Sequence, residues 1–225
     1  MCGRISTAGL SEDSLQTHFG LGDTPPFRKS YNLAPTLQLP AIRERHQTRT
    51  LSTLRWGLIP HWAKDREIAR HTFNARIETL TQKPSFRDAI KSKRCIIPAS
   101  GFYEWHKLDS RKQPYYIYRA DGTPLAFAGL WDRWLDCETG ESIESCSIVT
   151  QPAAGMMAEI HERMPAILEP EHFAVWLDPE FKEPHILQDI LKAEAHDLAM
   201  YAVSGYVSNS RNDGEKCIER LQGEY

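Results

Sequence analysis

The sequence predicts an α+β fold with a largely antiparallel, barrel-like β-sheet core and peripheral helices. Three observations carry that expectation. From Tyr31 onward, short apolar or alternating runs are broken repeatedly by Pro and Gly. These strand-like runs follow one another more often than they alternate with helical ones, which favours hairpin-type connections. Asp121-Gly122 also lies between two β-rich runs, a short-range hairpin signal.

The elements read in order. Segment 11–19 (SEDSLQTHF) predicts a short helix capped by Ser11, with acids in its first turn and Gly20 at its stop. LQLPAI (37–42), TLSTLRWGLI (50–59), RCIIPA (94–99) and GFYEWHKL (101–108) predict strands. PSFRDAIKSKR (84–94) opens as a helix, with Pro first and apolar Phe86 and Ile90 four apart. PYYIYRADGTPLAFAGLW (114–131) predicts two strands around the Asp121-Gly122 turn, and SCSIVT (145–150) another. AAGMMAEI (153–160), EHFAVWL (171–177) and HILQDILKA (185–193) predict helices, and LAMYAVSGYV (198–207) a late strand. No repeat, low-complexity tract or linker interrupts the 225 residues, so one domain over 1–225 is expected.

Composition narrows the function classes. Hydrophobic residues make up 41% and charged residues 25%, ordinary for a soluble globular chain with a substantial core. No apolar run approaches the roughly 18 residues of a membrane helix. MCGRISTAGL has neither a basic nor an apolar signal region. Five cysteines, with no CxxC pair and no His at metal spacing, predict a reduced, cytoplasmic chain without metal or other cofactor. The net charge of −3 discourages a nucleic-acid reading, but its distribution does not. Residues 41–94 hold 13 Lys/Arg against five Asp/Glu, a net of +8 that leaves −11 elsewhere. Such a segment forms a local field for an anion, or scatters over a solvated surface.

Four residues carry candidate chemistry. Cys2 becomes the first residue once Met1 is removed, which aminopeptidases generally do when the next residue is small. It then joins an α-amine and a thiol, with reference pKa values of roughly 7.7–8.0 and about 8.5. Such a 1,2-aminothiol attacks an aldehyde through its amine and closes the thiol onto the same carbon, giving a thiazolidine. Glu104 lies among Phe102, Tyr103 and Trp105, where burial would raise its pKa toward acid–base use. A solvent-facing Glu on an amphipathic strand is equally compatible. His161 follows a small-residue helix, a common position for acid–base histidines and for plain surface ones. Asn74 and Arg76 pair an amide with a phosphate-capable guanidinium, or form a turn and a surface charge.

Their combination is more specific. Met-Cys-Gly-Arg (1–4), Tyr-Asn-Leu-Ala-Pro (31–35), Arg-Trp-Gly-Leu-Ile-Pro (55–60), Asn-Ala-Arg-Ile-Glu-Thr (74–79), Arg-Cys-Ile-Ile-Pro-Ala-Ser-Gly-Phe-Tyr-Glu-Trp (94–105) and Ile-His-Glu-Arg-Met-Pro (160–165) occur in this order. Together they resemble the SRAP family, the SOS-response-associated peptidase-like proteins that process abasic sites in single-stranded DNA. The resemblance covers about 2–212; after Met164 only 203–204 and 209–214 contribute.

The resemblance implies that Cys2 captures the abasic aldehyde as a thiazolidine, crosslinking protein to DNA and shielding the lesion. It implies that Glu104 protonates the sugar oxygen during ring opening, that Asn74 positions the N-terminal residue and that His161 assists proton transfer. Arg4, Arg76 and Arg163 match DNA-binding positions suited to phosphates. Trp62 matches an aromatic that stacks near the lesion. Some relatives have two adjacent tryptophans there, whereas Ala63 follows here, so the stacking surface is smaller or displaced to Trp56. Lyase and peptidase activity, a monomeric state and a cytoplasmic, nucleoid-associated location also follow from the resemblance. Two alternatives stand beside it. Glutamine amidotransferases likewise begin Met-Cys-Gly and use the N-terminal Cys as an amidohydrolase nucleophile. A non-covalent single-stranded DNA-binding module would use the basic segment and leave Cys2 idle.

Overall fold

Five strands close into a barrel. They are β2 (Gln38–Arg45), β3 (Thr48–Trp56), β5 (Arg94–Ala99), β8 (Leu125–Leu135) and β9 (Ser142–Pro152), in the circuit β9–β3–β2–β5–β8–β9. All pairings are antiparallel except β3 with β9, which is parallel at Arg55↔Ser145 and Trp56↔Cys146. β4 (Asn74–Arg76) adds to β9 in parallel, and β10 (Arg163–Pro165) adds to it antiparallel. The second sheet is antiparallel, in the order β1 (Ile5–Ser6), β6 (Gly101–Lys107), β7 (Lys112–Arg119), β11 (Leu198–Ala202). Among the described residues, five short α-helices and several 3-10 turns complete the fold, the α-helices being α1 (Glu12–Phe19), α2 (Ala89–Ser92), α3 (Met157–Ile160), α4 (Phe173–Leu177) and α5 (Pro184–Leu191). This α+β architecture, seen in a computed structural model that describes residues 2–109, 111–192 and 197–221, is the one the sequence predicts.

Where a barrel strand buries both faces it reads as a continuous apolar run, whereas β3, half-exposed on one face, alternates. β5 is buried at all six positions. On β8, Leu125 and Phe127 enter a cluster with Cys2, Ile5, Trp56 and Phe102, while Ala126, Ala128 and Leu130 enter a second cluster with Phe19, Phe173 and Trp176. The second sheet thus covers one side of the barrel and the helices cover another. Arg94 binds the helical side: its guanidinium donates to the carbonyls of Ile90, Trp176, Asp178 and Phe181, and burial lowers its pKa to about 10.

α1 forms as its sequence dictates. Ser11 and Ser14 exchange side-chain-to-backbone hydrogen bonds in a capping box, and Gly20 closes the helix in the left-handed region at φ 66°. Elsewhere the structure revises the expectations. The Asp121-Gly122 turn exists, with Asp121 Oδ1 accepting from Thr123 N and Oγ1, but it is not a hairpin. β7 pairs with β6 and β11, whereas β8 crosses to the barrel. The hairpin joining β2 to β3 turns instead on His46-Gln47, both at positive φ, as a two-residue loop requires. The helical reading of 84–94 shrinks to α2, that of 153–160 to α3, and the late strand ends at Ala202. Residue 193, the last of the third expected helix, lies outside the described residues.

The C-terminal segment returns to the first strand. Arg4 Nη1 donates to Val207 O, and Asn32 Nδ2 donates to the carbonyls of Val207, Asn209 and Asn212. Asp213 accepts from Tyr31 N and Ser30 Oγ. Segments near residues 4, 32 and 210 are one hydrogen-bonded unit.

Candidate active site

Cys2 is positioned by β1. Ile5 exchanges backbone hydrogen bonds with Leu33 and pairs with Phe102, and Tyr103 N donates to Arg4 O. That register sets the chain start against the middle of β6, where Glu104 emerges. The Cys2 carbonyl accepts from Asn74 Nδ2 at 2.7 Å. Asn74 starts β4, opposite Ile148 on β9. Its Oδ1 is buried and has no hydrogen-bond partner among the described residues, which leaves an acceptor in reserve.

Electrostatics tie Cys2 to Glu104. Both side chains are buried. Burial pushes the Cys2 thiol well above its ordinary pKa, and the nearby Glu104 carboxylate pushes the same way. Burial also raises the Glu104 pKa, and the neighbouring His161 ring opposes that rise only in its protonated form. His161 terminates α3, which packs on β6, and its extended backbone turns the chain into β10. Its Nδ1 accepts from Arg163 N at 3.0 Å. The neutral ring therefore carries its proton on Nε2.

The four candidate catalytic residues thus come from four separated segments, with Cys2 bonded to Asn74 and in electrostatic contact with Glu104, and Glu104 in turn with His161. The arginines divide. Arg76 is exposed at the end of β4. Arg163 is buried, its guanidinium forked onto the Glu78 carboxylate with a 3.1 Å contact from Nη2, which also donates to Thr150 O at 2.7 Å. Arg4 is half-buried and bonds Asn32 Oδ1 at 2.8 Å and Val207 O at 2.6 Å, with its guanidinium 5.6 Å from the Trp105 ring centre. Two of the three expected phosphate arginines are therefore already engaged within the protein.

The tryptophans divide as well. Trp62 is 47% exposed. Trp56 is fully buried beside Phe73, and its indole N–H donates to the Phe73 carbonyl at 2.8 Å. It supports the segment leading into Asn74 and offers no ring face at the surface, which corrects its assignment as a displaced stacking residue. The basic segment is likewise not one patch. Arg43 is held by Ser52 and Glu144 and stacks on Trp131, Arg49 pairs with Glu44, and Lys93 pairs with Asp132.

A chain with these motifs on this fold has relatives. The family model described as SOS response associated peptidase (SRAP) matches residues 1–210. The chain belongs to the SRAP family. Among its relatives, the abasic site processing protein YoqW of Bacillus subtilis is 40% identical over 224 residues, covering 97% of this chain and 99% of that one. The abasic site processing protein HMCES of Xenopus tropicalis is 34% identical, covering 89% of this chain and 68% of its own length. A crystal structure of a Bacteroides thetaiotaomicron protein superposes with a TM-score of 0.87 at 30% identity, over 98% of this chain and 100% of that one. One from Bordetella bronchiseptica gives 0.78 at 28%, over 90% and 100%.

Within this SRAP chain, two residues at the site went unassigned by sequence reasoning although their motifs were recognised. Glu78, in Asn-Ala-Arg-Ile-Glu-Thr, neutralises Arg163, and Asn32, in Tyr-Asn-Leu-Ala-Pro, clasps the C-terminal segment. Their presence in those motifs was the available signal. Their partners lie 85 and up to 180 residues away, beyond any local reading. Among the described residues, no helix is long and apolar enough to cross a membrane.

Proposed function

We propose that this chain recognises abasic sites in single-stranded DNA and captures their aldehyde covalently through Cys2 after Met1 is removed. The observation that carries the reading is the buried arrangement of Cys2, its carbonyl fixed by Asn74, against a Glu104 whose pKa is raised by burial.

The chemistry follows from those environments. An abasic deoxyribose is mostly a closed ring and exposes its C1′ aldehyde only when the C1′–O4′ bond opens. The acid form of Glu104, favoured by burial, donates its proton to O4′ as the C1′–O4′ bond breaks, and its other carboxyl oxygen takes the proton of the C1′ hydroxyl, leaving the aldehyde. The amine leads the attack, because burial keeps the Cys2 thiol neutral. Its nitrogen adds to C1′, and loss of water gives the imine. The thiol sulfur then adds to the same carbon while its proton passes, through Glu104, to the imine nitrogen, closing the five-membered ring. One water leaves overall, and no oxidant or reductant is required. His161, with a proton on Nε2, serves the hydroxyl lost as water. Arg76 and Trp62 are the exposed groups suited to a phosphate and to the face of a neighbouring base. Arg163 and Arg4 contribute by fixing His161 and β1, and reach DNA only if their present partners yield.

The test incubates protein whose loss of Met1 is verified by intact mass with a single-stranded oligonucleotide carrying one abasic site. A denaturing gel is run beside Cys2→Ala. A heat-stable shifted band from wild type alone is expected. With Met1 absent and no band, the capture reading fails, and amidohydrolase or non-covalent DNA-binding function takes its place.

A further inference from the structure

Glu104 does not stand alone on its face of the second sheet. Directly opposite it across β6–β7 is Tyr115, and two residues farther along β6 is His106. Strand alternation sends all three side chains to the same side. The Tyr115 and His106 rings lie 6.3 Å apart, and Tyr115 also packs against the cluster that contains Cys2. Glu104 is buried, whereas Tyr115 and His106 are half-buried, so this face opens outward from the site toward the end of the hairpin.

That end is basic. Lys107 sits directly opposite Lys112, with Arg111 beside them, and all three are exposed. Like charges directly opposite each other destabilise a hairpin. Among the described residues, none of the three has an ion-pair partner. An aromatic pair continuous with the reacting face, leading to a tip whose three cations outnumber its one acid, Asp109, has the chemistry of a surface for bases and phosphates.

We infer that the β6–β7 hairpin is a second DNA-contact surface. Tyr115 and His106 take a base or sugar flanking the captured residue, and Lys107, Arg111 and Lys112 take the adjoining phosphates. The inference rests on the abasic-site reading for the identity of its ligand.

The test is equilibrium binding of a fluorescent single-stranded oligonucleotide with a central tetrahydrofuran, an abasic analogue that lacks an aldehyde. Wild type is compared with Tyr115→Leu, Lys107→Ala/Lys112→Ala and Lys182→Ala over a range of salt. Tyr115→Leu, which keeps an apolar side chain, is expected to weaken binding at least about fivefold. The exposed double-lysine variant is expected to lower the slope of log affinity against log salt by about 1.4, or two phosphates at ~0.7 each. Lys182→Ala, an exposed lysine just ahead of α5, is expected to change neither. Unchanged affinity and slope in both hairpin variants overturn the inference. So does an equal loss in Lys182→Ala, which marks a general charge effect, and so does binding of an acidic peptide but no oligonucleotide by wild type. The tetrahydrofuran cannot react. A wild type that binds it but forms no product with a true abasic site therefore refutes covalent capture, while these affinities still decide the hairpin.

Discussion

Arg163 N donates to His161 Nδ1 at 3.0 Å, so a main-chain group two residues away selects which ring nitrogen holds the proton. β10 begins at Arg163, and its pairing with β9 fixes that amide. The tautomer is thereby tied to the sheet.

Replacing His161 by Ala is expected to slow single-turnover crosslinking by about 10²-fold or more, the usual worth of a positioned acid or base. His161→Gln, whose amide nitrogen reaches about as far as Nε2, is expected to recover part of the rate. Equal rates for Ala and Gln would show that the Nε2 proton is not used.

Asn74→Ala removes the donor to the Cys2 carbonyl and leaves that buried oxygen unsatisfied. A stability loss of about 1–3 kcal/mol is expected in urea denaturation. The crosslinking rate should fall further than fold loss explains, since Cys2 loses its anchor. An unchanged rate per folded molecule would reduce Asn74 to a structural role.

The raised Glu104 pKa sets a pH dependence. The acid form persists above the ordinary carboxylate range, so crosslinking is expected to fall as pH rises through the folded-state pKa. For stability, the sign is that of a carboxyl with a raised folded pKa. Its contribution is complete below the unfolded value and lost as pH climbs through the folded one. Glu104→Gln should therefore lose crosslinking yet gain stability over wild type only as pH rises. Parallel wild-type and Gln stability curves from pH 4 to 9 would contradict this.

Glu78 has the opposite sign. Its hydrogen bonds to Arg163 hold its carboxyl below the ordinary value. Its contribution is present above the unfolded pKa and disappears as pH falls through the depressed one. Glu78→Gln is expected to cost about 1–2 kcal/mol at neutral pH, less than a fully buried pair because half of Glu78 meets water. Thermal denaturation should show the difference closing in acid, and a constant difference would mean that charge is not its source.

Gly101 opens β6 with no room for a side chain: a Cβ there would stand 2.4 Å from the Tyr116 ring and hydroxyl. Gly101→Ala is expected to cost about 1–3 kcal/mol by overpacking and to loosen the strand carrying Glu104. Denaturation midpoints check the first effect and crosslinking kinetics the second.

What the sequence disclosed follows the range of each interaction. α1 was legible to both caps, because Ser11, Ser14 and Gly20 act within one turn. Barrel strands such as 94–99 were legible as apolar runs. The turn at Asp121-Gly122 was legible too, but its hairpin was not. Turn geometry is local, whereas the sheet that β8 joins is decided by where Leu125 and Phe127 find cover. The His46-Gln47 hairpin escaped notice because neither Gly nor Asn marks its left-handed residues. Cys2, Asn74, Glu104 and His161 stand out by motif, and the fold joins them through contacts that include the Asn74–Cys2 hydrogen bond and the electrostatic coupling of Glu104 to Cys2 and His161. The engagement of Arg4 and Arg163 and the burial of Trp56 were invisible, since Val207, Glu78 and Phe73 set them through tertiary contact.

The clasp between Arg4, Asn32 and residues 207–213 has a bearing on how Cys2 is mounted. Cys2 is fully enclosed, Arg4 donates to the Val207 carbonyl, and Asn32 holds the carbonyls of Val207, Asn209 and Asn212. A change at Asn32 or in 207–213 is therefore transmitted to the residue two places along from Cys2, so segments remote in sequence share in setting its mount.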